Sequence, residues 1–212
     1  MNMKFKLTYT ALLVILSIAF TSCESKEEKE AKIAQQEQIR VEREERAEAS
    51  RLELEAKQEK ERIEKEIHDK FINNALNTGA TPYAYCFGKN KSCAEYGCSE
   101  IKIKTPNNSD VIVTIKRNDK VFRHAYIKSS SQFTFQLPDG VYQTFFYYGK
   151  GWNPEKVLTE TDCGPLRGGF VSGESFGKDS PQTLNNNILE YHLILQKEGN
   201  FKTRPSNVEE AF

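Results

Sequence analysis

Formal charge is balanced, with 30 Lys and Arg against 30 Asp and Glu. No stretch presents the concentrated basic face that nucleic acid requires, so that class of partner is excluded. Histidine is scarce. His68, His124 and His192 stand far apart, and no spacing among them or the cysteines matches a common metal knuckle or a nucleophile–base signature. The residues therefore imply no metal and no cofactor. Tryptophan occurs once, at Trp152. The longest apolar run, Ala11–Phe20, falls short of the roughly 20 residues that a membrane-spanning helix needs. Proline and glycine are missing altogether from Lys26 to Leu76, which leaves that stretch without its strongest turn formers.

The apolar run sits in a telling frame. Lys4 and Lys6 precede it, Thr21-Ser22-Cys23 closes it, and the chain then turns abruptly polar. A basic start, an apolar middle and small residues at the end make a secretory signal over residues 1–22. With a cysteine directly after the small residues, the pattern resembles the lipobox of bacterial lipoproteins, although Phe20 stands where leucine is usual. That resemblance implies cleavage before Cys23, acylation of its thiol and of the new N-terminus, and a membrane as partner through the N-terminal lipid. Each buried methylene contributes about 0.8 kcal/mol and one acyl chain binds only marginally, so stable anchoring takes more than one. Glu24-Ser-Lys-Glu-Glu28 resembles the acidic export signal of Bacteroidota-type surface lipoproteins, displaced by one position. It implies a lipid-anchored outer-membrane location with display at the cell surface. The same charges also suit the first turn of a helix.

Residues 24–70 hold 16 acids and 12 bases, whereas residues 71–212 hold 14 acids and 16 bases. The first set is rich in Glu, Lys, Arg, Gln and Ala, all good helix formers. Acid-to-base pairs four apart recur, as in Glu42–Arg46, Glu53–Lys57 and Glu66–Lys70, each contributing about 0.2–0.5 kcal/mol in an isolated helix. The apolar residues keep no heptad, though Val41, Leu52 and Ile63 are spaced by 11. Residues 23–78 thus read as a helical stalk, with a loose coiled coil and self-association through it as one form and a partly disordered tether as another. Fully helical, 50 residues would reach roughly 75 Å. Gly79 and Pro82 mark its expected end.

Residues 79–200 read as short strands. Ile101 and Ile103 alternate, Val111, Val113 and Ile115 share a face, and Phe133, Phe135 and Leu137 form a further set. Pro138-Asp-Gly140 predicts a turn with Gly140 left-handed. An aromatic strand follows over Val141–Tyr148, and Ile188–Gln196 closes the set, with Leu189, Tyr191, Leu193 and Leu195 on one face. Residues 201–212 read as a polar tail. The expected fold is mixed, a long N-terminal charged α-helix followed by an all-β, sandwich-like domain. Leu137-Pro-Asp-Gly-Val-Tyr142 resembles a strand entry of small extracellular β-sandwich modules, the regulatory-type domains attached to carboxypeptidases and surface receptors. Cys86–Cys93, Tyr96-Gly-Cys98 and Phe145–Pro154 resemble a family of uncharacterised C-terminal domains in bacterial lipoproteins, which brings no catalytic residues with it.

Four cysteines lie beyond the stalk: Cys86, Cys93, Cys98 and Cys163. In an oxidising compartment an even count favours two disulfides; three pairings are open, and zinc is the competing reading. Trp152, with Tyr148 and Lys150 beside it, is the candidate ligand contact for a glycan or protein, since glycines flank it and an aromatic on a loop docks sugars and peptides. The alternative is that Trp152 caps the sandwich. In a regular strand His124 would share a face with Phe122 and Tyr126, as a packed histidine. A Cys163/His124 nucleophilic pair has no supporting signature, and Thr161–Gly169 reads as a glycine-bearing loop. The sequence favours a non-enzymatic binding or scaffolding module on a stalk. An envelope enzyme acting on glycan or peptide and a structural subunit oligomerising through the stalk are the alternatives.

Overall fold

The computed structural model describes residues 25–93, 97–159, 161, 163–194 and 204–212. Cys23 and the apolar run before it lie outside the described residues, as do Leu195 and Gln196. Helix α1 spans Lys26–Phe71, 46 residues. It opens on a capping box: Glu28 N donates to Ser25 Oγ at 3.2 Å, and Ser25 N donates to the Glu28 carboxylate at 3.3 Å. Glu27 and Glu28 in the first turn and His68 and Lys70 in the last oppose the helix dipole. Arg40 pairs with Glu37 and Glu44, and Arg51 with Glu48 and Glu55, within the helix. Only Phe71 is buried. The chain divides into two compact units after Lys60.

The helix stops at Phe71, short of Gly79, because the next residues find better partners on the sheet. Asn74 N bonds back to Phe71 O at 2.9 Å, and Asn74 O accepts from Trp152 N at 2.9 Å. Gly79 N donates to Tyr126 O and Tyr126 N to Ala80 O, both at 2.8 Å. Gly79, with φ +89, is therefore an addition to a strand edge and no helix terminator; a Cβ there would stand 2.8 Å from the Phe133 ring.

The second unit, Glu61–Phe212, holds the end of α1 and the sandwich-like domain. Its strands are β1 (Cys98–Lys104), β2 (Asp110–Arg117), β3 (Lys120–Ile127), β4 (Gln132–Pro138), β5 (Gly140–Leu158), β6 (Leu166–Lys178), β7 (Gln182–Leu184), β8 (Ile188–His192) and β9 (Arg204–Pro205). Two short helices, α2 (Ala84–Phe87) and α3 (Val208–Ala211), complete it. The smaller sheet runs β4-β1-β8 and the larger β3-β2-β5-β6-β9, with β7 on the start of β5. β1 is antiparallel to β4 and parallel to β8.

Two cores result. Between the sheets, Ile101, Ile103, Val111, Val113, Ile115, Phe135, Leu137, Phe146 and Tyr191 pack together. On the outer face of the larger sheet, Ile112, Tyr126, Tyr147, Trp152 and Phe170 pack under Tyr83 and Phe212. β2 is thus buried on both faces, which explains its nearly unbroken apolar run. The C-terminal residues are no polar tail. Asn207 caps α3 by accepting from Glu210 N at 2.9 Å, and Ala211 and Phe212 are buried in the second core.

Local chemistry explains the remaining differences. Asn118 and Asp119 both take positive φ, as a two-residue hairpin between β2 and β3 requires. Gly140 has no positive φ; it is already strand, paired with Leu184, and the Arg117 guanidinium lies 3.2 Å from where a Cβ would be. The expected glycine-bearing loop over Thr161–Gly169 gives way to strand from Leu166, because β6 pairs with β5 at Leu166, Arg167 and Gly169, with Gly168 at a register shift, despite the low strand propensity of glycine.

Candidate functional site

The four distal cysteines form two disulfides, Cys86–Cys163 and Cys93–Cys98. This removes Cys163 as a nucleophile. His124 is fully buried, stacked on Tyr83 at 5.9 Å and edge-on to Phe87 at 5.8 Å. Its Nε2 accepts from Tyr83 N at 3.2 Å, so the ring is neutral with the proton on Nδ1. Burial lowers its pKa to about 4; the Thr81 carbonyl draws it back only in part, lying outside hydrogen-bond geometry. His192 is on the other sheet, so the two histidines do not meet. Among the described residues no three His, Cys, Asp or Glu side chains come together as a metal site.

The expected ligand contacts do not converge either. Trp152 is only 5% exposed and packs against Tyr126 at 5.8 Å and Phe170 at 5.9 Å, so it belongs to the second core. Tyr148 packs against the first core, and burial raises its pKa. Lys150 is exposed. In a regular strand these three would share a face. The β5–β6 register shifts between Tyr148 and Lys150, and Gly151 takes φ +73, so the bulge sends Tyr148 and Trp152 to opposite sides of the sheet.

A different constellation forms where the outer strands β3 and β4 of the two sheets meet. A groove of about 230 Å³ is lined by Asn90, Lys91, Ser92, Arg123 and Phe133–Gln136. Two events build it. The β2–β3 register shifts between Ile115 and Lys116, a bulge at Phe122. Phe122 thereby leaves the face of His124 and packs on Tyr142 in the first core, at 5.8 Å, beside Arg123, which keeps the face of Ala125 and Ile127. The Asn90–Ser92 segment is held by Asn90 Nδ2, which donates to His124 O at 2.8 Å, and by disulfides on both sides, at Cys86 and Cys93.

Arg123 is fixed as well. Its Nη1 donates to Phe122 O at 2.8 Å and its guanidinium sits 4.2 Å from the centre of the Phe122 ring. Burial lowers its pKa. Its Nε and the Asn90 Oδ1 are both buried without a hydrogen-bond partner. Among the described residues the lining has two cations and no carboxylate. Phe133 forms an aromatic wall, itself edge-on to Phe135 at 4.9 Å.

A larger cleft of about 320 Å³ lies at Lys104, Pro106, His192 and Ile194. Its charges are already matched: Glu190 bonds Lys104 at 2.7 Å and His192 at 2.8 Å, which holds the Glu190 carboxyl below its usual range. None of its lining side chains holds a buried polar atom without a hydrogen-bond partner.

None of the groove residues stands out in the sequence as a binding residue. The available signal is Arg123, the one charge inside the apolar strand segment Val121–Ile127, together with a polar run enclosed by cysteines. Against protein-family models, curated proteins and solved structures alike, the chain finds no match.

Proposed function

We propose that the protein is a lipid-anchored envelope lipoprotein in which α1 serves as spacer and the β domain as a displayed binding module. Cys23 carries the lipid, an outer membrane is the partner at that end, and a glycan or protein ligand is the partner at the other. What supports this reading is the contrast along the chain. α1 buries nothing before Phe71, whereas the domain after it is closed by two disulfides, the chemistry of an oxidising compartment. Among the described residues no helix is long and apolar enough to cross a membrane, so attachment in this reading falls to the lipid.

Alkyne fatty-acid labelling of cells tests the anchor. The wild type takes up label and Cys23→Ala does not; equal labelling of both would end the proposal. Protease shaving of intact cells tests display. An exposed charged helix facing outward is cut readily, and full protection until the outer membrane is opened would place the domain inside.

A further inference from the structure

We infer that the groove between β3, β4 and the Asn90–Ser92 segment binds a carboxylate-bearing sugar ring, a hexuronate unit, through Arg123 and Lys91 and a hydroxyl bond to Asn90. The inference rests on the β domain being a binding module and is independent of lipid attachment.

The two orphaned atoms define the ligand. Arg123 Nε is a buried donor on a cation without a partner, and such a group is satisfied best by an anionic acceptor. Asn90 Oδ1 is a buried acceptor without a partner. Its identity as oxygen is set by the bond that Asn90 Nδ2 makes to His124 O, because only the nitrogen of the amide donates. A ligand that satisfies both must bring an anionic acceptor and a neutral donor within one small body. Simple carboxylates lack the donor, and neutral sugars lack the charge. Water could bridge either atom but leaves the two cations unmatched.

The remaining lining agrees. Lys91 adds a second positive charge, and none of the described lining residues is acidic. Ser92 on the rim can exchange hydrogen bonds with ring hydroxyls, and the lining includes polar Thr134 and Gln136. Phe133 supplies the flat apolar wall on which a pyranose face rests. About 230 Å³ is below the roughly 300–1,000 Å³ of drug-sized pockets, which suits one ring of a longer chain entering from solvent. The site is also held in place before binding, since Arg123 is fixed on Phe122 and the rim is pinned by disulfides, which lowers the ordering cost of binding.

Isothermal titration of the full chain in detergent micelles decides the matter, with glucuronate, glucose, acetate and N-acetylglycine as probes. Glucuronate is expected to bind at least tenfold more tightly than the other three, and more weakly as salt is raised. Lys91→Gln and Arg123→Gln are each expected to weaken it about tenfold, close to the 1.4 kcal/mol that tenfold represents. Lys91 is exposed, so its variant keeps the fold even if Arg123→Gln does not. Glucose or acetate binding as well as glucuronate would overturn the two-point recognition, and N-acetylglycine binding more tightly would overturn the sugar. No binding by any probe would leave the groove to water and refute the inference. Cys23→Ala is expected to bind like the wild type, so failure of the anchor and failure of the groove are separable.

Discussion

Acidification should destabilise this domain through one residue above all. His124 is fully buried and neutral, and its folded pKa is about 4 against an ordinary 6.5. The unfolded chain therefore binds a proton that the folded chain refuses between these two values. Stability is complete above about pH 6.5 and falls as pH drops toward the folded pKa. Between the two pKa values each pH unit is equivalent to about 1.4 kcal/mol, so the loss attributable to His124 is about 1.4 kcal/mol at pH 5.5 and about 3 kcal/mol at pH 4. Against a typical domain stability of about 5–15 kcal/mol, that is a large share. Carboxylates titrate in the same range, so the informative quantity is the difference between wild type and His124→Gln. The glutamine can still accept from Tyr83 N, but it does not titrate. Urea unfolding with the disulfides intact, followed at pH 7.5, 5.5 and 4, reads it directly. The wild type should lose about 3 kcal/mol more than the variant over that span, a midpoint shift of roughly 1–3 M for an m-value of about 1–3 kcal/mol/M. Parallel decline of the two proteins would refute the reasoning.

The two disulfides should differ in worth, because Cys86–Cys163 closes a separation of 77 residues and Cys93–Cys98 one of 5; loop-closure entropy gives about 4.5 and about 2 kcal/mol. Denaturant unfolding of the Cys86→Ser/Cys163→Ser and Cys93→Ser/Cys98→Ser double variants checks the order. Gly168→Ala should destabilise by roughly 2–4 kcal/mol, since φ is +110 and the new Cβ would lie 2.2 Å from the Trp152 ring; thermal unfolding should show it. Phe212→Ala should cost about 3–5 kcal/mol, because the ring is fully buried and edge-on to Tyr83 at 5.1 Å; an equilibrium unfolding curve unchanged from wild type would show that the C-terminal helix is dispensable.

The fold was legible where periodicity was clean. The absence of proline and glycine from Lys26 to Leu76 marked the helix, and the alternations at Ile101–Ile103, Val111–Ile115 and Phe133–Leu137 marked strands that the structure contains. The charged helix ended at Phe71, short of the stop expected at Gly79 and Pro82, because backbone partners on β3 and β5 outcompeted helical ones, and no local pattern carries that information. The start of β6 was hidden by glycines at 168 and 169, which read as loop, although Gly168 lies against the Trp152 ring and Gly169 pairs with Asn153. The groove was illegible for a sharper reason. Strand alternation assigns faces only while the register holds, and the two bulges, at Phe122 and around Gly149–Gly151, each displace the count by one. The first takes Phe122 from the side of His124 to the first core, where it supports Arg123, and the second sends Trp152 to the second core. The disulfide pairing likewise required knowing which loops meet.

The placement of the cross-links follows from how the second core is covered. Its inner side is a continuous strand ladder, but its outer side is roofed by residues 72–93 and the C-terminal helix, segments with only four-residue helices of their own. Such a roof has few cooperative backbone bonds and is the part of a domain that opens most readily. Cys86–Cys163 ties this roof to the connection between β5 and β6, and Cys93–Cys98 ties its far end to the first residue of β1. Asn90 lies between the two ties and completes the support by donating to His124 O on β3. The rim of the groove thus belongs to the least self-sufficient segment of the domain, while Arg123 belongs to the ladder. Holding the two in register is what the cross-links accomplish there, beyond their effect on global stability. Reduction should therefore loosen the Asn90 rim before it unfolds the sheets, so amide exchange in Lys89–Ser92 should quicken under mild reductant while β2 and β5 stay protected; simultaneous loss of protection in both would show the roof and the sheets to be one cooperative unit.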